Sequence, residues 1–201
     1  MPAAGPAQRR ALTIPNAFSA ARLACIPVFV VVLVQPGHRG WFAAAVLLGA
    51  LGATDWVDGF LARRLGQVST VGKVLDPLAD RLLLVTAGIS TVVVGAVPVA
   101  VAVLALSREA VVAAGFLVVA VAGGRRMEVR MVGKAGAFGL MCALPLFVAG
   151  HSSVGWHAAA EALAWVCAGP GLVLAWWSMF VYAPAARRAI ADGRLEHGRA
   201  A

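Results

Sequence analysis

The chain has few charged and few aromatic residues. Of its 201 residues, 13% are charged, 7% are aromatic and only one is a tyrosine, whereas 61% are hydrophobic. Its mean hydropathy is +0.87. A soluble fold of this length cannot bury so much apolar surface. The composition therefore argues against an ordinary soluble domain and predicts an all-α polytopic membrane protein.

Cysteine and histidine are also scarce, and neither is grouped with the spacing of metal ligands. The three cysteines lie scattered in apolar segments, where small buried hydrophobic side chains are expected. The four histidines lie far from the acidic residues described below. The sequence therefore predicts neither a disulfide framework nor a zinc site.

Long apolar runs separated by short polar connections predict six membrane-spanning helices. The first run has 20 residues, enough to cross ~30 Å of hydrocarbon, and we interpret it as a retained helix rather than a cleaved signal peptide. The expected organisation is a cytoplasmic segment at 1–14, a six-helix domain at 15–182 and a basic cytoplasmic tail at 183–201. The predicted spans are Pro15–Val34, Trp41–Leu65, Val74–Val94, Val97–Val121, Met131–Ala149 and Trp156–Tyr182.

The basic residues predict the orientation of these spans. Lys and Arg gather before span one, between spans two and three, between spans four and five, and after span six, whereas the opposite connections hold only Arg39. The positive-inside rule places both termini in the cytoplasm, here of a bacterial inner membrane. The net charge of +8 is explained by anionic lipid headgroups, so no nucleic-acid partner is expected.

The acidic residues are concentrated in one place. Four of the five aspartates lie in the stretch "DWVDGFLARRLGQVSTVGKVLDPLAD". Asp55 and Asp58 are three residues apart and Asp76 and Asp80 are four apart, so each pair occupies one face of a helix. If the two helices are antiparallel neighbours, the four carboxylates converge near the cytoplasmic surface, where they cannot all stay ionised unaided.

Two arrangements would stabilise such a cluster. Salt bridges to nearby arginines and lysines are the commoner one. The other is a divalent cation, and oxygen ligands without His or Cys favour Mg²⁺, Mn²⁺ or Ca²⁺ over Zn²⁺. Gly59 and Gly72 leave room beside the acids for a bulky anionic group, which favours the cation. A carboxylate-held metal ringed by arginines indicates a substrate that carries phosphates.

The same stretch resembles the signature of the CDP-alcohol phosphotransferase family at every defining position. In sequence order the matching residues are Asp55, Asp58, Gly59, Ala62, Arg63, Gly72, Asp76 and Asp80. The segments "LTIPNAFSAARL", "SREAVV", "VGKAGAFG" and "WWSMFVY" are also similar to segments of bacterial members that make phosphatidylglycerophosphate or cardiolipin.

The resemblance implies a six-helix membrane enzyme, usually a homodimer, with a polar cavity that faces the cytoplasm. Such an enzyme transfers the phosphatidyl group of CDP-diacylglycerol to an alcohol and releases CMP. It implies that Asp55, Asp58 and Asp76 hold one or two Mg²⁺ or Mn²⁺ ions, and that Asp80 is the general base and a further metal ligand. The residues implied to bind the CDP moiety are Asp55, Gly59, Ala62, Arg63, Gly72 and Asp76.

The acceptor alcohol is predicted from basic residues outside the signature. Arg108, Arg130 and Lys134 are the candidates for binding an acceptor phosphate, while Arg108 is equally well explained by an ion pair with Glu109. Members that use glycerol-3-phosphate usually carry Gly-Lys-x-Lys-Thr where this chain has "GKAGA" at 133–137. The missing second lysine favours phosphatidylglycerol, giving cardiolipin, over glycerol-3-phosphate.

Other functions remain open at this stage. The same chemistry with another polar acceptor, such as an inositol phosphate, fits the signature. A cation transporter would need a polar path through the bilayer, whereas the acids cluster at one depth. A bundle held together by Asp–Arg pairs gives no reason for Gly59 and Gly72. A metal-dependent lipid phosphatase shares the ion but uses water in place of the alcohol.

Overall fold

The computed structural model describes residues 14–38, 40–65, 72–123 and 131–200, and for part of these, including 55–65, 72–78 and Asp80, the backbone alone. The described residues are helical, apart from short turns. The bounds are α1 Ile14–Leu33, a short 3-10 helix Pro36–His38, α2 Trp41–Leu65, α3 Gly72–Val93, α4 Val99–Val121, α5 Met131–Gly150 and α6 His157–Ala200.

The predicted all-α membrane class is confirmed. Among the described residues, three helices are long and apolar enough to cross a membrane: Val99–Val121, Met131–Gly150 and His157–Ala186. Shorter apolar stretches follow in the other three helices, at Ala20–Leu33, Trp41–Thr54 and Arg81–Val93. The first five helices begin and end within two residues of the predicted spans.

The sixth helix differs from its predicted span. The loss of hydropathy after Tyr182 predicts the end of the span there, but the backbone stays helical to Ala200 and contains Pro184. A loss of hydropathy shows where a helix leaves the lipid, whereas the end of the helix itself depends on the helix propensity of the residues that follow. Residues 185–191 are rich in Ala and Arg, which are strong helix formers outside lipid as well.

The described part of the chain divides into two units. The first comprises residues 1–97 and 144–162. In it α1 packs against both α2 and α3. Its core is apolar and uses small side chains that let the helices approach closely. The core residues are Phe29, Leu33, Trp41, Ala44, Ala45, Leu48, Ala87, Ala96, Val148, Ala149 and Ala160.

The second unit comprises residues 98–143 and 163–201. In it α5 and α6 pack through glycines with their backbones nearly in contact. A Cβ added at Gly136 would lie 2.5 Å from the Ala175 backbone nitrogen, and one at Gly139 would lie 3.1 Å from the Cys167 carbonyl oxygen. Such small-residue contacts drive helix association in lipid, where the hydrophobic effect contributes little between helices.

Candidate active site

The four signature aspartates lie on α2 and α3 of the first unit. Asp55 and Asp58 follow one another on α2 at helical spacing, and Asp76 and Asp80 do so on α3. Their side chains lie outside the described residues, as do those of Gly59, Ala62, Arg63 and Gly72. The helical backbone therefore matches the spacing within each pair, while the pairing of α2 with α3 and the convergence of the carboxylates stay predictions.

The residue just before the first aspartate is held within the helix. The Thr54 hydroxyl donates to the Ala50 carbonyl oxygen at 2.6 Å, one turn earlier in α2. This bond satisfies the hydroxyl locally, as is usual for threonine inside a helix. The signature begins at the next residue of α2, Asp55.

Arg22 of this unit belongs to the segment "LTIPNAFSAARL", which resembles the family but was assigned no function. It lies on α1 and is only 2% exposed, the largest fully buried side chain among the described residues. Counted from the helix ends, it lies 11 residues before Leu33, while Asp80 lies 13 residues before Val93. At 1.5 Å per residue the two positions are about 16 and 20 Å along their helices from these ends. Because α1 packs against α3, we expect Arg22 and Asp80 at similar depths, with a difference that an arginine side chain can span. A lone arginine inside the first apolar run was the signal for it.

Carboxylates on two helices that both pack on α1 fit a hard divalent cation better than a soft one. All four candidate ligands are oxygen donors, which Mg²⁺ and Mn²⁺ prefer. Among the side chains that the structure describes, His, Cys, Asp and Glu form no group of three or more that would hold a metal. The described part of the chain thus offers no competing centre.

The second unit contains a buried cationic cluster around Arg108 of α4. Arg108 is 5% exposed. Its Nη1 atom donates to the Glu109 carboxylate. Its Nε atom donates to the Ala175 carbonyl oxygen at 3.5 Å, and Nη2 donates to the Ser178 hydroxyl at 3.4 Å. Both partners on α6 lie 67 and 70 residues away in sequence, so local pattern could not have shown them.

The ion pair with Glu109 and a ligand-binding role for Arg108 are compatible. A guanidinium carries five donors in a planar fork, and Glu109 occupies only Nη1. The Nη2 atom lies toward α5, where a Cβ added at Gly133 would be 3.3 Å from it. One edge of the guanidinium is thus neutralised, and the other approaches the start of α5.

The other two predicted acceptor-binding residues are placed differently. The Lys134 side chain is exposed at the start of α5, next to Gly133. Arg130 lies outside the described residues. Of the three candidates, therefore, the buried position is shown for Arg108 alone, and the joint role of the three remains a prediction.

Sequence reasoning missed Tyr182 and Ser178, which complete this cluster from α6. Ser178 is fully buried and its hydroxyl donates to the Ala175 carbonyl oxygen at 2.6 Å. Tyr182 is 8% exposed, and its ring lies against that of Phe116 with centroids 6.3 Å apart. The only available signal was that Tyr182 is the single tyrosine of the chain.

Comparison with known proteins is decisive for the family. Residues 12–186 match the CDP-alcohol phosphatidyltransferase family. The chain belongs to this family. The resemblance in the sequence is therefore confirmed, and with it the prediction that the protein is an enzyme, a phosphatidyltransferase.

Individual relatives fall into two groups. A protein of Streptomyces coelicolor named cardiolipin synthase (CMP-forming) is 36% identical over 187 residues, which cover 90% of this chain and 86% of the relative. A CDP-diacylglycerol–glycerol-3-phosphate 3-phosphatidyltransferase of Bacillus subtilis is 35% identical over 133 residues, covering 60% of this chain and 68% of the relative. The corresponding Escherichia coli protein is 43% identical over 74 residues, 37% of this chain and 41% of the relative.

Proposed function

We propose that this membrane enzyme transfers the phosphatidyl group of CDP-diacylglycerol to phosphatidylglycerol, forming cardiolipin and releasing CMP. The observation that carries the acceptor assignment is the extent of similarity. The match to the cardiolipin synthase covers 90% of this chain, whereas matches to enzymes named for glycerol-3-phosphate cover 60% or less in the two cases described. Phospholipid biosynthesis from CDP-diacylglycerol is common to both groups.

The charge of the Arg108 cluster supports the same acceptor. A phosphomonoester such as glycerol-3-phosphate carries between one and two negative charges at neutral pH, whereas the phosphodiester of phosphatidylglycerol carries one. Arg108 is already paired with Glu109. The pair has no net charge, so a dianion buried beside it would cost more than a monoanion unless a second cation were present.

In the proposed reaction the acceptor hydroxyl oxygen forms a bond to the phosphorus of the phosphatidyl group. The bond from that phosphorus to the oxygen bridging it to CMP breaks, and CMP leaves with the electron pair. Asp80 accepts the hydroxyl proton as general base. Asp55, Asp58 and Asp76, with Asp80, would hold Mg²⁺ or Mn²⁺, which when bound neutralises the charge of the pyrophosphate.

The nucleotide would be bound by the glycines and basic residues of the signature. Gly59, Ala62 and Gly72 leave space at the backbone for the cytidine and its phosphates. Arg63 would pair with phosphate oxygens, since a guanidinium matches the geometry of a phosphate in two parallel hydrogen bonds. These assignments rest on the resemblance of residues 55–80 to the family signature in the sequence.

Product identification tests the proposal. Purified protein is incubated with CDP-diacylglycerol, Mn²⁺ or Mg²⁺, and in turn phosphatidylglycerol, glycerol-3-phosphate, an inositol phosphate or no acceptor, and the lipids are identified by mass spectrometry. Cardiolipin with phosphatidylglycerol alone is the expected result, and EDTA should abolish it. Phosphatidate and CMP without any acceptor would show a phosphatase, and phosphatidylglycerophosphate would show the other acceptor. No product under any condition would favour a transporter.

The membrane arrangement is part of the proposal. We place six spans within residues 15–182, with both termini in the cytoplasm of a bacterial inner membrane, because the basic residues lie on one side. A cysteine introduced beside Arg194 should resist an impermeant thiol reagent in intact cells and react after lysis. Labelling in intact cells would show that the C-terminus lies outside the cytoplasm, contrary to the proposed topology. A homodimer is expected from the family, and light scattering in detergent measures it.

A further inference from the structure

Tyr182 presents a buried hydroxyl for which the described residues offer no partner. The side chain is 8% exposed, and no hydrogen bond satisfies its oxygen in the described part of the chain. A buried phenol normally has a hydrogen-bond partner, because burying the group without one is costly. The chain places its single tyrosine at this position.

The hydroxyl lies close to Nη2 of Arg108, on the edge of the guanidinium that Glu109 does not neutralise. A Cβ added at Gly133 would collide with the Tyr182 hydroxyl and would lie 3.3 Å from Arg108 Nη2. The hydroxyl therefore fills the place that a Cβ would take at Gly133, and Arg108 Nη2 lies beside the same point. The Gly133 position is itself buried.

The Tyr182 hydroxyl and Arg108 Nη2 can both donate hydrogen bonds, and the neighbouring acceptors already accept hydrogen bonds. Ser178 accepts from Arg108 Nη2 and donates to the Ala175 carbonyl oxygen. Glu109 accepts from Nη1, on the other side of the guanidinium. Since these two donors lie side by side, the partner that would satisfy both is an acceptor such as a phosphoryl oxygen.

We propose that the Tyr182 hydroxyl and Arg108 Nη2 together bind a non-bridging oxygen of the acceptor's phosphodiester, and that the bare Cα of Gly133 lets the hydroxyl lie this close to the guanidinium. Tyr182 is then a residue that determines acceptor affinity, and the ligand is a singly charged phosphodiester. This assignment rests on the proposed function, because it takes the lipid acceptor as the ligand of the Arg108 cluster.

The ring is held firmly enough for this role. Phe116 packs against it at an interplanar angle of 57°. One turn from Gly133, the backbone of α5 lies against that of α6 at Gly136 and Ala175. Because both helices are fixed by backbone contact, the hydroxyl and the guanidinium keep their positions before the ligand arrives, which reduces the entropy lost on binding.

Steady-state kinetics of Tyr182→Phe test the assignment directly. Phenylalanine keeps the ring and its contact with Phe116 and removes only the hydroxyl. The KM for phosphatidylglycerol should rise about tenfold or more, as expected for a lost hydrogen bond to a charged group, while the KM for CDP-diacylglycerol stays the same. Phe180→Leu, at a 76% exposed position on the same helix, is the matched control and should change neither. An unchanged acceptor KM in an active Tyr182→Phe enzyme would overturn the assignment.

A binding measurement on the unmutated sequence gives an independent result. Because Tyr182 is the only tyrosine, biosynthetic 3-fluorotyrosine produces a single ¹⁹F resonance. Phosphatidylglycerol added in detergent should shift it saturably, and diacylglycerol, which lacks the phosphate, should not. A larger shift with glycerol-3-phosphate would identify a phosphomonoester as the ligand and contradict the phosphodiester. A resonance unmoved by either phosphate would refute the site, and this titration decides if Tyr182→Phe does not fold.

A double variant separates ligand binding from simple packing. If Gly133 is bare only to accommodate the tyrosine hydroxyl, Gly133→Ala should be corrected by adding Tyr182→Phe, and a double variant with the wild-type acceptor KM would overturn the proposal. The expected result is a double variant at least as impaired as Tyr182→Phe. Failure of the proposed function is distinct, since the wild-type enzyme would then make no cardiolipin at all.

Discussion

Gly136→Ala should loosen the packing of α5 on α6 and weaken acceptor binding. The added Cβ would lie 2.5 Å from the Ala175 nitrogen, 2.8 Å from its Cα and 2.9 Å from the Gly171 carbonyl oxygen, all backbone atoms. Ordinary contacts begin at 3.4 Å, so the helices must separate by close to 1 Å. Overpacking of this kind costs about 1–3 kcal/mol, from which alanine's better helix propensity recovers about 0.5–1 kcal/mol.

The displacement reaches the Arg108 cluster through two short connections. Ala175, the residue struck by the new methyl group, accepts the hydrogen bond from Arg108 Nε. Gly133 lies one turn before Gly136 on α5. The acceptor KM should therefore rise several-fold, while the CDP-diacylglycerol KM stays within twofold, because the signature lies on α2 and α3 of the other unit.

Thermal unfolding in detergent and acceptor kinetics on three variants measure this. The graded control is Gly139→Ala, whose nearest contact would be 3.1 Å, so a shift of a few tenths of an ångström suffices and the effect should be small. The opposite control is Gly115→Ala on α4, which would meet nothing within 4 Å and should stabilise by about 0.5–1 kcal/mol. Gly136→Ala matching wild type in both unfolding temperature and acceptor KM would show that the backbones are not in contact.

Three further predictions concern charged residues. Asp76→Asn should weaken metal binding and be partly rescued by added Mn²⁺, whereas Asp80→Asn should slow turnover by ~10²–10⁴-fold without rescue, because asparagine cannot accept a proton. A metal titration of turnover compares the two variants, and rescue of Asp80→Asn would show that Asp80 is only a metal ligand. Glu109→Gln should raise kcat/KM for glycerol-3-phosphate relative to kcat/KM for phosphatidylglycerol by several-fold, since Arg108 loses its neutralising partner. Glu161→Gln, at an exposed position, is the control, and an unchanged ratio in Glu109→Gln would contradict the charge argument. Arg22→Gln should lower the unfolding temperature more in EDTA than in Mn²⁺, because the Arg22 guanidinium and the metal ion both offset repulsion among the carboxylates. Equal losses in the two conditions would show that Arg22 does not act on the aspartates.

The sequence predicts the first five helices well because their ends carry local signals. Apolar runs there end at glycine, proline or basic residues, and these signals lie within a few positions of the backbone change. After Tyr182 the last helix carries the same signals, Pro184 and then arginines, but its backbone stays helical through them to Ala200. The same reasoning explains the signature, since Asp55 to Asp80 is a contiguous pattern.

The Arg108 cluster could not be predicted in the same way. Its members come from α4, α5 and α6, and their meeting depends on how closely glycines let two backbones approach. The sequence shows that Gly133 and Gly136 are small but not which residues they face. Burial, which distinguishes Arg108 from the exposed Lys134, likewise follows from packing and not from residue type.

The geometry of Arg108 brings together two interpretations that the sequence left as alternatives. An isolated buried guanidinium would be costly in lipid, so Glu109 at its Nη1 atom makes its burial tolerable. Full pairing of both edges would leave nothing for a substrate, but Nη2 meets only a neutral hydroxyl at 3.4 Å, beside an unsatisfied tyrosine. A site that is neutral overall yet presents donors on one edge can bind a monoanionic lipid headgroup, whose acyl chains supply the remaining affinity from the bilayer. A soluble dianion has no such chains and would need further cations, so with the proposed lipid acceptor the second lysine of the glycerol-3-phosphate pattern is not needed.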